Sequence, residues 1–439
     1  MMAVVNPSVN NEDLRDCCNH TSPTQEVKQL VQHKMDDDEE GEKENIVLTP
    51  FEKVIYDMRN NEKVKHEMML GKRIGFYHLR GEIGAGNFSK VKLGIHSLTK
   101  EKVAIKIMNK KSLAFKTRKL YTSEVLSMER LHHPNIIRLY EVLETQCWLH
   151  LVLEYAERGD LFTKIHSQGP LLEYESKFIF VQIVSAVKHM HENDVVHRDL
   201  KAQNVFYTTS NCVKVGDFGF SALCSVNEPL RTSCGSPPYS APELFRHKSY
   251  IGTYVDIWAL GILLYFMVTA TMPFRADTVK KLRKCISAGS YTIPAYVSDP
   301  CQKLIYGILQ IIPTNRYTLA NILDSPWLRG MECPEPYQPF HLDPAHLASS
   351  VSLNEEEREV KKALRCLGIT EEHICNNHNW DSQSPITGTY RIILHRSQKR
   401  CYPEGPVMVN NCPADTRLHE SSKRSFGAHG QSTRMCLIL

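Results

Sequence analysis

The chain has 439 residues, of which 42% are hydrophobic and 23% are charged, and its formal net charge is +4. This length fits one large domain or two with tails, and the balance is typical of a globular protein rather than a disordered or fibrous one. The small net charge gives no support to nucleic-acid binding. The fourteen cysteines form no C-x-x-C pair, which predicts free thiols rather than a structural zinc site.

The N-terminal region differs in amino-acid composition from the rest of the chain. Residues 1–10 have neither a basic start nor a long apolar stretch, so no secretory signal is predicted and a cytoplasmic location is expected. Residues 1–70 hold few aromatic side chains and an acidic run at 36–44 (DDDEEGEKE). Because like charges repel and bury little surface, we predict a disordered or loosely helical acidic tail over 1–70.

Strand patterns precede helical ones in the central part of the chain. Residues 102–108 (KVAIKIM) and 150–154 (HLVLE) are rich in branched apolar side chains and predict strands of a small sheet. Helical spacing dominates after residue 160. The apolar residues 257–269 are fewer than the roughly 20 needed to cross a bilayer, so they predict a buried helix. Prolines then mark a linker, which we place at 329–350.

A pair of glycines follows the first predicted strand. Gly84 and Gly86 would let the backbone approach phosphate groups, although a plain strand turn is the commoner meaning of two nearby glycines. Ser89 stands where a third glycine would complete G-x-G-x-x-G, which argues against a dinucleotide-binding fold. Lys106 lies on a later predicted strand, where its ammonium can reach phosphates, and Glu124 on a predicted helix can pair with it.

Three motifs follow in a fixed order. HRDLKAQN covers residues 197–204, DFG covers 217–219 and APE covers 241–243. Phosphoryl transfer requires the protein to orient the attacking hydroxyl and to neutralise charge on the phosphate oxygens. The order and spacing of the three motifs predict a site for this reaction.

Individual residues of these motifs suit separate tasks. Asp199 can accept the proton of the attacking hydroxyl. Asn204 and Asp217 offer the hard oxygen ligands that Mg²⁺ prefers. We therefore expect a metal site formed by Asn204 and Asp217 beside Asp199.

The segment 76–328, with all of these motifs in order, resembles a complete eukaryotic protein kinase domain. The resemblance implies an α+β fold with a small β-rich lobe and a large helical lobe, and ATP and Mg²⁺ as cofactors in the cleft between them. It implies three catalytic residues, Asp199, Lys201 and Lys106. The implied ATP-binding residues are Ile83, Gly84, Ala85, Gly86, Asn87, Phe88, Val91, Ala104, Lys106, Glu124, Glu154, Ala156 and Asp160, with the hinge backbone at 154–156 holding adenine.

The resemblance also implies a substrate class and a mode of activation. Lys201 is typical of the serine/threonine class, so protein serine and threonine hydroxyls are the expected acceptors. Residues 230–240 (LRTSCGSPPYS) are similar to the activation segment of AMP-activated-kinase relatives, which implies an upstream kinase that phosphorylates Thr232. Gln203 replaces the acidic residue usual in the catalytic loop, which argues against a strong preference for basic substrates.

Two further assignments concern the scaffold. The resemblance implies that Asp256 anchors the catalytic loop from a buried helix. It also implies that Arg316 pairs with Glu243 to hold the larger lobe together.

The C-terminal region predicts helices at 355–367, 370–376 and 386–396. Their layout resembles a ubiquitin-associated module, which we place at 351–398; the alternative is an ordinary helical extension that packs on the large lobe. A flexible tail is expected over 399–439. Its end, CLIL, places Cys436 in the pattern for geranylgeranyl attachment, which implies a protein divided between cytosol and membranes.

Two other functions compete with a protein kinase. A pseudokinase scaffold would keep the fold and bind partners without transfer, but such proteins commonly lose one of the residues that stand here as Lys106, Asp199 and Asp217. A small-molecule kinase is disfavoured because APE at 241–243 and the long activation segment resemble a platform for peptide substrates. We therefore predict an ATP-dependent serine/threonine protein kinase.

Overall fold

The computed structural model describes residues 48–86, 89–110, 115–225, 228–338, 342, 353, 355–376 and 382–401. The first lobe is built on a six-stranded antiparallel sheet with the order β1-β2-β3-β4-β6-β5. Its strands are β1 (Arg73–Ile74), β2 (Tyr77–Ala85), β3 (Ser89–His96), β4 (Lys102–Asn109), β5 (Leu139–Glu144) and β6 (Trp148–Glu154), and helix α3 (Phe115–Glu129) lies between β4 and β5. The strands predicted at 102–108 and 150–154 are β4 and β6.

The alternation along β4 explains its place in the sheet. Val103 and Ile105 are fully buried on one face, while Ala104 and Lys106 lie on the other. The first face carries a hydrophobic core, and the second lies towards the cleft between the lobes. A strand with period-two burial therefore both anchors the sheet and presents Lys106.

The second lobe is mostly helical. Its longer helices are α4 (Leu161–Gln168), α5 (Glu173–Glu192), α7 (Gly252–Thr269), α8 (Val279–Ala288) and α9 (Asp299–Ile308), with the short α6 (Glu243–Arg246) and α10 (Leu319–Leu323). Two-residue or three-residue strands pair between them: β7 (Val195–Val196) with β10 (Ala222–Leu223), β8 (Val205–Tyr207) with β9 (Val213–Val215), and β11 (Pro229–Leu230) with β12 (Tyr250–Ile251). The predicted two-lobed α+β fold is confirmed.

Helix α7 forms the centre of the larger core. It is apolar on all sides, and among the described residues it is the one helix whose length and composition would allow it to cross a membrane. Nearly all of its side chains are buried inside the lobe, including Trp258 and Leu260. An all-round apolar helix enclosed by protein is a core helix, as predicted for residues 257–269.

Of the two alternatives predicted for the tail, the helical one describes residues 48–70 and disorder does not. These residues form α1 (Pro50–Asn60) and α2 (Glu62–Met69). Thr49 and Glu52 form a reciprocal capping box at the start of α1, with Pro50 at the first helical position. Phe51 and Ile55, four residues apart, are buried. The acidic run at 36–44 biased the prediction for the whole tail, and residues 1–47 lie outside the described part of the chain.

Three helices follow the linker: α11 (Glu355–Leu367), α12 (Glu371–Cys375) and α13 (Pro385–Cys401). They cover the outer face of the small lobe's sheet together with α1, and they share one hydrophobic core with it. That core includes Phe51, Ile55, Val103, Ile105, Tyr140, Val152, Val360, Leu364, Ile374, Ile386 and Tyr390. The alternative of a helical extension on the large lobe is therefore wrong about the lobe, because the helices pack on the small lobe. The assignment of 351–398 as a ubiquitin-associated module stays a prediction. Residues 399–401, expected in the flexible tail, continue α13.

Close approach fixes α13 on the sheet. A Cβ atom at Gly388 would lie 2.5 Å from a carboxylate oxygen of Glu141 on β5, so only glycine fits there. Tyr140 and His395 are joined by a 2.6 Å hydrogen bond, and Arg391 forms a 2.7 Å ion pair with Glu129 at the end of α3. Helix α13 thus binds both the sheet and α3.

The described part of the predicted linker crosses between the lobes. The carbonyl of Pro334 accepts a 2.6 Å hydrogen bond from Ser185 of α5, in the large lobe. Three residues later, the Tyr337 amide donates to the carbonyl of His132, and the Arg138 guanidinium lies 5.4 Å from the Tyr337 ring centroid. Residues 332–338 therefore form an ordered strap between the large lobe and the segment that leads into β5.

Candidate functional site

The glycine pair lies in the hairpin between β2 and β3. In the sheet register Gly84 is opposite Val91, and Val91 is opposite Lys106 on β4. The Gly86 amide donates a 2.8 Å hydrogen bond to the carbonyl of Ser89, which closes the hairpin. The predicted nucleotide-binding residues Ala85 and Ile83 also lie on β2, whereas Asn87 and Phe88 lie outside the described residues. The hairpin thus lies next to β4, the strand that carries Lys106, in the same sheet.

The strand pairing places the remaining predicted ATP-binding residues. Ala104 is opposite Leu153 on β6, directly before the hinge segment that contains Ala156. Asp160 caps α4: one carboxylate oxygen accepts from the Thr163 amide and the other from the Thr163 hydroxyl, both at 2.8 Å. The structure thus gives Asp160 a structural task at the start of α4.

The Glu154 side chain points away from the cleft. Its Oε1 lies 2.8 Å from Lys399 Nζ on α13 and 3.2 Å from the fully buried Lys214 Nζ. Burial would raise the pKa of this carboxyl, but the cations around it hold the pKa below its usual range. Only the backbone of Glu154 is available to a nucleotide, and its carboxylate instead joins the hinge to α13.

Lys106 lies between two carboxylates. Its Nζ is 2.8 Å from Glu124 Oε1 on α3 and 2.8 Å from Asp217 Oδ1. Burial alone would lower the pKa of Lys106, but the two carboxylates outweigh this effect and raise it. In turn, the Lys106 ammonium lowers the pKa of Asp217 to about 2. Lys106 and Asp217 are therefore ionised at neutral pH. Burial raises the pKa of Glu124 and the Lys106 ammonium opposes that effect, while the 2.8 Å contact between the two side chains holds α3 against the sheet.

A buried carboxylate holds the backbone of the catalytic loop. Asp256 on α7 accepts hydrogen bonds from the amides of His197 and Arg198, at 2.9 and 2.8 Å, and lies 2.9 Å from His191 Nε2. Arg198 has the left-handed φ of 66°, which costs free energy in a residue with a side chain. The three contacts to Asp256 stabilise this turn, and the turn directs Asp199 into the cleft.

The Asp199 carboxylate is bound from three sides. Lys201 Nζ donates to Oδ2 at 2.6 Å, and Asn204 Nδ2 lies 3.3 Å from the same oxygen. Ser236 donates to Oδ1 through both its amide and its hydroxyl, each at 2.9 Å. Lys201 Nζ also reaches the Ser236 hydroxyl at 3.0 Å. This network orients Asp199 to accept a proton from a hydroxyl group bound in the cleft.

Asn204 and Asp217 fit a magnesium site. Asn204 Nδ2 donates to the Asp199 carbonyl at 2.9 Å, so its amide oxygen remains for a cation. Asp217 is ionised and its side chain is 43% exposed, with one oxygen on Lys106. A carboxylate and an amide oxygen are hard ligands of the kind that Mg²⁺ accepts alongside water and phosphate oxygens. These two residues would hold the ion.

The predicted activation residue is exposed, but its backbone is fixed. Tyr250 donates a 2.6 Å hydrogen bond to the Thr232 carbonyl, and Arg198 Nη1 lies 3.4 Å from the same Tyr250 hydroxyl. Arg198 Nε donates to the carbonyl of Phe220, just beyond the DFG motif. The Tyr250 hydroxyl therefore links the Thr232 backbone to the guanidinium of Arg198, the residue before Asp199. Cys436 lies outside the described residues.

Ser236 is a site residue that the sequence motifs do not reveal. It lies within the segment 230–240, whose resemblance to an activation segment does not single it out. No spacing rule connects Ser236 to Asp199, because the contact depends on how the segment folds back. Gly235 has φ +101°, and a Cβ there would lie 2.5 Å from the Arg198 carbonyl, so this glycine permits the approach.

Comparison with known proteins agrees with this geometry. The family described as "Protein kinase domain" matches residues 77–328. Serine/threonine-protein kinase SIK2 of Gallus gallus is 36% identical over 324 residues, which cover 74% of this chain and 40% of that protein. Serine/threonine-protein kinase SIK1 of Rattus norvegicus is 37% identical over 344 residues, covering 78% and 44%. This chain thus spans less than half the length of these relatives.

The matched segment contains the glycine hairpin, the Lys106 ion pairs, the Asp199 network and the Asp256 anchor. It also contains the buried pair of Glu243 and Arg316, with nitrogen–oxygen distances of 2.7 Å. The chain belongs to the protein kinase family.

Proposed function

We propose that this protein is an ATP-dependent serine/threonine protein kinase. The observation that carries the proposal is the Asp199 carboxylate, held by Lys201, Asn204 and Ser236 beside an ionised pair of Lys106 and Asp217. A proton acceptor and a set of charges for phosphate oxygens thus lie in one cleft. Bound Mg²⁺ and ATP would supply the phosphoryl group and offset its negative charge.

The residues divide the work. Asp199 accepts the proton of the substrate hydroxyl, and Lys201 beside it stabilises charge on the transferred group. Lys106 binds phosphate oxygens, and Glu124 keeps its ammonium in position. The protein thus supplies orientation and charge, which is most of what this reaction requires of it.

The subgroup is part of the proposal. SIK2 and SIK1 are serine/threonine-protein kinases, and residues 230–240 resemble the activation segment of AMP-activated-kinase relatives. Within that group we propose the Nim-one kinase as the subgroup, because the activation segment and residues 386–396 (ITGTYRIILHR) resemble it. We infer protein substrates and an upstream activating kinase as partners.

Transfer of radiolabelled phosphate from ATP to an arrayed peptide library tests the proposed function. We expect labelled serine and threonine peptides and no labelled tyrosine peptides. Nucleotide binding without transfer after treatment with an activating kinase would instead support the pseudokinase scaffold. Lys106, Asp199 and Asp217 are all present, which favours the enzyme over the scaffold.

Phosphorylation of Thr232 is expected to raise kcat/KM by at least tenfold. A phosphate there carries nearly two negative charges and can pair with Arg198, which already reaches Tyr250 beside the Thr232 backbone. The new pair would hold the activation segment, including Ser236, in its productive position. The measurement compares wild type and Thr232→Ala after treatment with an activating kinase. Thr209→Ala, at an exposed threonine of the large lobe, is the control, and equal activity of all three proteins would refute the prediction.

We also propose that Cys436 carries a geranylgeranyl group and that the protein divides between cytosol and membranes. The support is the terminal CLIL, and a single lipid holds a protein only reversibly. Intact-mass analysis of protein from eukaryotic cells should show the mass of the lipid and loss of the last three residues. Cys436→Ser should abolish both changes. A wild-type chain that keeps Leu439 and a free Cys436 thiol would contradict this proposal and leave the kinase assignment unaffected.

A further inference from the structure

Helix α8 presents a dense positive surface. Its Lys280, Lys281, Arg283 and Lys284 are all exposed. Arg246 of α6 donates to the carbonyl of Ser287 on α8, so α6 adds one cation to the same surface. We define the α8 basic surface by its exposed members Arg246, Lys280, Arg283 and Lys284.

Few carboxylates lie in the chain segment that forms this surface. Residues 243–289, which are all described, contain three carboxylates. Glu243 is buried against Arg316, Asp256 is buried against the catalytic loop, and the exposed Asp277 lies 3.4 Å from Lys281. The carboxylates of residues 243–289 therefore leave the α8 basic surface without an ion pair, and the described part of the chain shows no other carboxylate paired with it.

The lysines do not serve the helix itself. Lys280 and Lys281 lie in the first turn of α8, where positive charge opposes the helix dipole, and that turn has no acidic residue. The helix is held instead by the Thr278 cap and by buried Leu282 and Ile286. Arg283 lies 5.1 Å from the Phe245 ring centroid and Lys281 pairs with Asp277, so these two have partners within the lobe. Lys280 and Lys284 have no such contact among the described residues, and folding does not explain them.

The surface lies on the substrate side of the catalytic site. Helix α8 packs against the single helical turn Pro237–Tyr239. That turn directly follows Ser236, whose amide and hydroxyl both bind Asp199. Gln203 of the catalytic loop is exposed and uncharged. A peptide whose hydroxyl reaches Asp199 therefore meets a neutral loop and a positively charged helix.

We propose that the α8 basic surface binds acidic side chains of the protein substrate, so that the enzyme prefers hydroxyl groups with aspartate or glutamate nearby. This inference rests on the proposed kinase function and specifies its substrate class. Complementary charge at exposed positions acts mainly on encounter and binding, so the preference should appear in KM more than in kcat. It should also weaken as salt is added.

The test uses the full chain and two peptides with the same serine, one flanked by three glutamates and one by three glutamines. The variant Lys280→Glu/Lys284→Glu reverses two charges on one helix face. Lys63→Glu/Lys72→Glu makes the same change of net charge at exposed positions of the small lobe. We expect the wild type and the control to prefer the glutamate peptide. In the α8 variant, the KM for the glutamate peptide should rise about fivefold or more, and the KM for the glutamine peptide should change little.

Fluorescence anisotropy of labelled peptides measures binding without catalysis, so the test stands even if phosphoryl transfer fails. Loss of glutamate-peptide binding only in the α8 variant supports the proposal. Equal affinity of wild type and α8 variant for that peptide overturns it. Vesicles with 30% phosphatidylserine form a second arm: α8-dependent vesicle binding with no α8-dependent peptide binding assigns the surface to anionic lipid and also overturns the proposal.

Discussion

Asp217→Asn is expected to lower kcat by roughly a thousandfold or more, with a smaller effect on ATP binding. Asp217 is ionised and reaches the cleft with about two fifths of its side chain exposed, and its pKa of about 2 shows how strongly the charge is stabilised there. The amide removes this charge at the point where the phosphoryl group needs a cation. Lys106 keeps its second partner, Glu124, so the lobe should stay folded.

Phosphate transfer to a peptide, nucleotide affinity and the thermal midpoint should be measured on the same preparation. Asp299→Asn removes an exposed carboxylate at the start of α9 and provides the matched control. The control should keep near-normal turnover. Turnover near that of wild type in a folded Asp217→Asn protein would rule out the role assigned to this carboxylate.

Arg316→Ala is expected to lower the free energy of unfolding by about 3–5 kcal/mol. The guanidinium is fully buried, donates two 2.7 Å hydrogen bonds to Glu243, and also binds the carbonyls of Tyr254 and Gln310. Its removal leaves a charged carboxylate in the protein interior with no compensating group. The loss should therefore greatly exceed that of an exposed pair.

Chemical denaturation measures this difference. Lys65→Ala breaks the 2.7 Å pair with Glu62 on α2, where both side chains are exposed, and should cost about 1 kcal/mol or less. Adding Glu243→Gln to Arg316→Ala should restore part of the lost stability because it removes the unpaired charge. If Arg316→Ala and Lys65→Ala cost the same, the buried pair does not stabilise the lobe as argued.

Residues that take part in the chemistry were predictable from the sequence because the reaction restricts both their type and their order. Lys106, Asp199 and Asp217 belong to motifs that can be recognised from their order and spacing in the sequence alone. The strand of Lys106 was also predictable, since Val103 and Ile105 alternate with it. The two lobes were predictable because strand patterns precede helical patterns along the chain.

Contacts between distant segments were not predictable in the same way. Ser236 reaches Asp199 because the activation segment folds back, and no local pattern encodes that path. Helix α11 is amphipathic, with Val360 and Leu364 buried, but an apolar stripe does not specify which apolar surface it will cover. The capping box at Thr49 was a readable signal for α1, and the acidic composition of the preceding residues hid it.

The meeting of α1 with the C-terminal helices makes the cooperative folding unit larger than the segment that defines the family. A Cβ atom at Gly368, just after α11, would lie 2.2 Å from the Cβ of Thr49, so the two flanking regions touch directly. A fragment limited to residues 77–328 would leave Val103, Ile105 and Val152 without their cover. An apolar sheet face of this kind, newly exposed to water, favours aggregation. Excising the catalytic segment alone is therefore expected to yield insoluble protein, even though every catalytic residue remains in it.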